Sequence, residues 1–224
     1  MKIQEIHKWD LDGKQARAIQ TELAEKVVFC PLGGDLRFAA GLDCAFSGDK
    51  KRIGAVIVVL SFPELEVVET VHATGPADFP YIPGLLSFRE APVCLEAARK
   101  LKQQPDVFLV DGQGIAHPRR MGLASHLGLF LNTPTVGCAK SRLTGVFDEP
   151  EEEKGNFSKL KDKHEVIGAV VRTRSRVKPL FVSVGHLCRL EDAIDVTLRC
   201  TTKYRLPEPT RLAHQQVTRL KPHI

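Results

Sequence analysis

The order of the apolar runs constrains this chain more than any other feature. Residues 53–62 are rich in valine and isoleucine, Pro63 and Glu64 punctuate them, and a second run follows over 65–72. Two such runs joined by a short turn predict an antiparallel hairpin. Ahead of them, residues 37–46 form a short apolar run closed by polar Ser47, Gly48, Asp49 and Lys50, which predicts another strand and a turn. Further along, the pattern alternates. Residues 87–102 read as a helix stopped by Pro105, and 106–111 as a buried strand ending in Gly112-Gln113-Gly114. Residues 121–131 are helical, with Leu123, Leu127 and Phe130 or Leu131 on one face, and 135–139 form a short buried strand. Strands are expected over 166–173 and 180–184, and helices over 190–200 and 210–220. An amphipathic first helix near 12–28 rests on Ala16, Ile19, Leu23, Ala24 and Val27. Residues 149–163 are charged and poor in apolar side chains, so an exposed excursion is expected there. Antiparallel strands followed by alternating helices and strands predict an α/β protein with a mixed sheet flanked by helices.

The 224 residues are 43% hydrophobic, enough for one domain spanning 1–224 with its own core. No run approaches the ~18–20 apolar residues of a membrane span. Residues 1–10 mix both charges and lack the apolar centre of a secretory signal. The six cysteines (Cys30, Cys44, Cys94, Cys138, Cys188, Cys200) form no C-x-x-C pair, which argues against zinc-finger and redox motifs. Cys44 and Cys138 sit in apolar runs and read as small buried hydrophobes. These features favour a reducing cytoplasm. A net charge of +5 permits a nucleic-acid partner without demanding one.

Three acidic residues stand out. Asp43 lies inside the first apolar strand, where a lone carboxylate is costly unless a metal, a partner or hydrogen bonds compensate. Asp111 ends the run 107–110, and the carboxyl end of a strand in an open sheet is the usual place for a site. The same Asp-Gly pair also suits a plain turn. If the two strands are neighbours, both carboxylates converge on one Mg²⁺ ion. Glu90 completes the capping-box pattern Ser87-x-x-Glu90, so it is expected to reach back to the Ser87 amide, a role compatible with a metal site. His214, like His117, His126 and His186, is unremarkable singly. The loop 80–86 brackets Tyr81 and Ile82 between two prolines, which stiffens it. One of only two tyrosines there suits a wedge entering a base stack, against the alternative of a ring packed down on the domain. Arg119, Arg120, Lys140, Arg142, Arg172, Arg174, Arg176 and Lys178 supply positive charge near the expected strand ends, useful to a phosphodiester substrate beside a metal.

These strings together resemble the endonuclease V family. The resemblance runs from about residue 40 to 214 and is carried by Gly41-Leu42-Asp43, residues 80–90, residues 110–119 (Val110-Asp111-Gly112-Gln113-Gly114 onward to Arg119), residues 137–141, 182–186 and 204–211. It implies a ribonuclease H-like fold and a Mg²⁺-dependent repair endonuclease, with Mn²⁺ able to substitute. The implied substrate is DNA containing deoxyinosine or another deaminated base, cut at the second phosphodiester bond on the 3′ side to leave 3′-hydroxyl and 5′-phosphate ends. By the same resemblance, Asp43 and Asp111 hold the metal and Glu90 completes the acidic cluster. Lys140 approaches the scissile phosphate. His214 occupies a position where relatives carry an acid or a histidine, as a ligand of a second ion, directly or through water, or as a base. Tyr81, Ile82, Pro83, Gly84, Leu86, Gly112, Gly114 and His117 are the implied nucleic-acid contacts. Tyr81 fills the space left by the rotated base, and the glycines admit that base closely. The expected partners include no membrane, and a monomer is expected. Inosine in RNA is the nearest alternative substrate. A non-catalytic inosine binder is disfavoured by the intact acidic cluster, and a generic nucleotide-binding protein by the lack of a G-x-G-x-x-G or P-loop string.

Overall fold

A computed structural model describes residues 1–224. Eight strands form one sheet: β1 (Phe38–Phe46), β2 (Arg52–Ser61), β3 (Val67–Pro76), β4 (Val107–Val110), β5 (Thr135–Ala139), β6 (Phe157–Asp162), β7 (Glu165–Val171) and β8 (Leu180–His186). Five helices accompany them: α1 (Gly13–Ala24), α2 (Leu86–Arg99), α3 (Leu123–Leu131), α4 (Leu190–Arg199) and α5 (Glu208–Leu220). The strand order is β3-β2-β1-β4-β5-β8-β7-β6. β1, β4 and β5 run parallel at the centre, and every other pairing is antiparallel. The expected mixed sheet, its opening hairpin and its flanking helices are all present.

Helices cover both faces, which explains why the central strands are continuous apolar runs rather than alternating ones. Period-two geometry sorts their side chains. From β2, Ile53, Ala55, Ile57 and Val59 pack with α2 and α3, whereas Val56, Val58 and Leu60 pack with Ala213 and Val217 of α5. From β4, Phe108 and Val110 join the α2–α3 side, while Val107 and Leu109 join a second core with Ala193 and Val196 of α4. The alternation matters most on β1. Ala40 and Leu42 face α2, so Gly41 and Asp43 face α5. A Cβ at Gly41 would lie 1.9 Å from the carbonyl carbon of Pro209, so only glycine lets α5 settle on β1.

The charged stretch 149–163 departs from expectation. It carries β6, an edge strand paired with β7, rather than only an exposed excursion. An edge strand buries little, and here Leu160 alone is buried, so the apolar signal is one residue deep. Of the expected basic residues, Arg172 is buried and binds the Glu149 carboxylate and the carbonyls of Pro150, Glu151 and Val177. Arg120 is tied to Asp162 and Glu165. These two hold the 149–178 region together and do not form a free phosphate track.

Candidate metal centre and base pocket

The carboxylates converge because β1 and β4 are parallel neighbours, with Leu42 opposite Val110. The next residues, Asp43 within β1 and Asp111 just past β4, therefore sit side by side, and the Asp111 amide donates to the Leu42 carbonyl at 3.0 Å. Asp43 is buried; its Oδ1 accepts from the Cys44 amide at 2.8 Å, and its Oδ2 meets His214 Nδ1 at 2.6 Å. Burial, then the charge of Asp111, raises the Asp43 pKa above the ordinary carboxylate value. Asp43, Asp111 and His214 each offer a ligand atom, and the three atoms lie within 4.8 Å of one another. Lys140, just past β5, forms an ion pair with Asp111 Oδ2. Arg205 Nη2 supports that lysine by donating to the Lys140 carbonyl at 2.8 Å and the Pro179 carbonyl at 2.7 Å.

Glu90 on α2 faces the same cluster. Burial and the charges of Asp43 and Asp111 push its pKa up to about 8. The expected capping box does not form. α2 begins one residue earlier than expected, at Leu86, and its N-cap, Leu85, makes no side-chain bond. Ser87 lies inside the helix instead, with its hydroxyl on His126. Glu90 is thereby left to the acidic cluster. Three carboxylates facing one lysine form an anionic pocket of hard oxygen donors with one imidazole, and a divalent cation fits that set.

Beside this cluster lies a cavity of about 420 Å³. Tyr81, Ile82, Gly84, Leu86, Gly112 and His117 line it, together with Glu90, Asp111 and Lys140. Tyr81 is 69% exposed and Leu86 43% exposed, so the tyrosine is not packed down on the domain. Pro83 is exposed at the tip of the same loop. The loop's base is fixed: the Gly84 carbonyl accepts from Gln20 Nε2 at 3.0 Å and from Arg119 Nη2 at 2.8 Å. His117 is buried, and burial followed by the charge of Arg119 pushes its pKa down to about 4, so the ring is neutral at pH 7. Gly114 does not line the cavity. It backs onto β8, where a Cβ would meet the Val184 carbonyl oxygen at 2.0 Å, so its glycine serves packing and not a base.

The sequence singles out neither Gln113 nor Arg205 for a role, gives Ser87 only a capping role, and leaves the buried His126 unremarkable. Gln113 and Arg205 lay within the motif strings, but nothing in their spacing marked them apart from their neighbours.

Known proteins share this fold. A sequence profile of the endonuclease V family matches residues 21–215. Endonuclease V of Trichormus variabilis is 51% identical over 214 residues, covering 95% of this chain and 97% of that protein. The crystal structure of endonuclease V from Bacillus subtilis superposes with a TM-score of 0.95 at 36% identity, covering 100% of this chain and 98% of that one. Ciona intestinalis endonuclease V, crystallised with a 23mer DNA containing an inosine followed by a ribo-adenosine, has a TM-score of 0.81 at 31% identity, covering 95% and 99%. The fold is thus the ribonuclease H-like one expected. On that profile and these relatives, this chain belongs to the endonuclease V family of phosphodiester hydrolases.

Proposed function

We propose that the chain is a Mg²⁺-dependent repair endonuclease that recognises deoxyinosine in DNA and hydrolyses the second phosphodiester bond on its 3′ side. The observation that carries this reading is the convergence of Asp43, Asp111 and His214 within 4.8 Å, beside a cavity rimmed by an exposed tyrosine. The Ciona relative bound to inosine-containing DNA supports the substrate.

Asp43 and Asp111 hold the cation, with Mn²⁺ as a substitute. When bound, Mg²⁺ supplies polarisation of the phosphate and stabilisation of the leaving 3′ oxygen. With Asp43 ionised, His214 Nδ1–H donates to it, which leaves Nε2 with a free lone pair to take a proton or approach a cation. Glu90, poised near neutral pH, is the alternative proton acceptor for the attacking water. Lys140 offsets charge developing on the phosphate. Tyr81, stiffened by Pro80 and Pro83, fills the space of the rotated base, with Ile82 and Leu86 beside it. The cavity, within the ~300–1,000 Å³ typical of small-molecule sites, receives that base. Arg174, Arg176 and Lys178 are exposed on the β7–β8 connection and are available to the backbone. We place the protein in the reducing cytoplasm as a monomer of one domain, on its scattered cysteines and ordinary composition.

The test is end-mapped cleavage of strands carrying one deoxyinosine, with Mg²⁺ and with EDTA. A single cut at the second bond 3′ of the lesion, abolished by EDTA, is expected. Undiminished cleavage in EDTA overturns the metal, and a different cut site overturns the geometry. The ribo-adenosine after inosine in the Ciona complex favours a second reading, inosine in RNA. Parallel DNA and RNA strands decide between them.

A further inference from the structure

Gln113 sits in the turn after Asp111, with only 9% of its surface exposed, on the wall of the base pocket. Its Nε2 donates to the Ser141 carbonyl at 3.0 Å. A carbonyl can only accept, so this bond settles which end of the amide is nitrogen. The other end, Oε1, is buried and has no donor. A buried acceptor without a partner is rare enough to need a cause. Neighbouring carbonyls are already engaged: Gly84 by Gln20 and Arg119, Met121 by Gln20, Gly114 by the Gly122 amide, and Gln113 itself by the Ala124 amide. Oε1 is thus a spare acceptor, while these backbone carbonyls around it are spoken for.

We propose that Gln113 Oε1 is the specificity-determining acceptor that reads the ring N–H of the extruded base. The proposal rests on the deaminated-base reading above and deepens it. Hydrolytic deamination of adenine replaces the amine at C6 with a carbonyl and converts N1 from a bare acceptor to an N–H donor. Deamination of cytosine does the same at N3. An acceptor here pairs with the new donor of hypoxanthine or uracil and faces a repelling lone pair in adenine or cytosine. Guanine also carries an N1–H, so its exclusion rests on its C2 amine and not on Gln113.

The test is binding in EDTA, read by fluorescence anisotropy. The probes are duplexes carrying one deoxyinosine, one deoxynebularine (a purine whose N1 is a bare lone pair and which lacks the C6 carbonyl) or no modified base. Wild type is expected to prefer inosine to nebularine. Gln113→Leu should cut that preference roughly 10-fold by weakening inosine binding alone, the scale of one lost hydrogen bond that leaves a group unpaired. Gln113→Glu keeps an acceptor and should keep the preference, whatever its added charge does to overall affinity. Thermal melting checks that each variant is folded; if the leucine variant is not, Gln113→Met is read in its place. The proposal is overturned if wild type binds inosine and nebularine equally, or if the leucine variant keeps the preference. It also fails if both affinities fall in step, or if glutamate loses as much preference as leucine. No preference of wild type for inosine over the unmodified duplex overturns the substrate reading itself, a distinguishable failure.

Discussion

Ser87 and Glu90 stand one turn apart on α2 and face two polar regions of opposite character. Ser87 faces a neutral chain of hydrogen bonds that runs from the surface into the core. His7 Nδ1 lies 2.7 Å from the Lys8 carbonyl, His7 Nε2 lies 2.7 Å from His126 Nε2, and His126 Nδ1 lies 3.1 Å from the Ser87 hydroxyl. The direction of every bond follows from the first. The Lys8 carbonyl can only accept, so His7 Nδ1 carries the hydrogen and Nε2 is bare. His126 Nε2 therefore donates to it, and the Ser87 hydroxyl donates to His126 Nδ1. Trp9, Phe88 and Phe130 surround the pair, and burial pushes the His126 pKa down to about 3. Glu90 faces the opposite situation, anions pressed together with one lysine and one half-exposed histidine. The protein completes the first region with its own groups. The second has more negative charge than its own cations match, and that surplus is what a metal and a phosphate substrate use.

The comparison can be broken most sharply at the acidic end. Asp43→Ala or Asp111→Asn should lower cleavage of an inosine strand on the order of a thousand-fold or more, as expected for residues that act as one unit. Melting temperature should be unchanged or higher, because like-charge repulsion is relieved. A large loss of stability in either variant would mean that the cluster is structural.

His126→Ala should behave the other way round. It opens a cavity and strands the Ser87 hydroxyl and His7, a loss of about 2–4 kcal/mol by urea denaturation, with activity retained in the folded fraction. Full stability in that variant would remove the distinction between the two regions. The pH dependence sharpens the same point. Folded His126 stays neutral down to about pH 3, whereas in the unfolded chain it takes up a proton near its ordinary value of 6.5. Its contribution is thus fully present above about pH 6.5 and is lost as pH falls toward 3, by at most about 1.4 kcal/mol per pH unit. His126→Asn should show a flatter stability profile than wild type between pH 7.5 and 5; identical slopes would show that the ring titrates freely in the fold.

Tyr81→Ala, at the rim of the pocket, is expected to have the smallest effect. Losing one stacked ring should weaken binding to an inosine strand by roughly 10-fold, with a smaller effect on undamaged DNA. Equal losses on both would make Tyr81 a general contact and not a wedge.

Much of this was legible along the chain. β1, β2, β4 and β5 are buried on both faces, so they read as unbroken apolar runs, and the two aspartates stood out against that background. β6 did not, because an edge strand with one buried leucine has no apolar signature. Ser87 misled for a different reason. Ser-x-x-Glu is a local pattern, and the helix started two residues too early for Ser87 to act as a cap. The register of helix against chain was set by the packing of Leu85 and Phe88, two fully buried side chains, and not by the capping pattern.

The sequence by itself determined the order of the elements, the acidic residues and the stiff tyrosine loop, because hydrophobic period and turn chemistry are local properties. Only the tertiary structure decided which of them meet. Asp43 and Asp111 become neighbours because β1 and β4 pair in parallel across a separation of more than sixty residues. His214 reaches Asp43 because strand alternation turns that aspartate toward α5, and Gly41 lets the helix come close enough. Gln113 is left with a spare acceptor because the donors around it are spent elsewhere. Those are long-range outcomes of packing, and no window of sequence contains them.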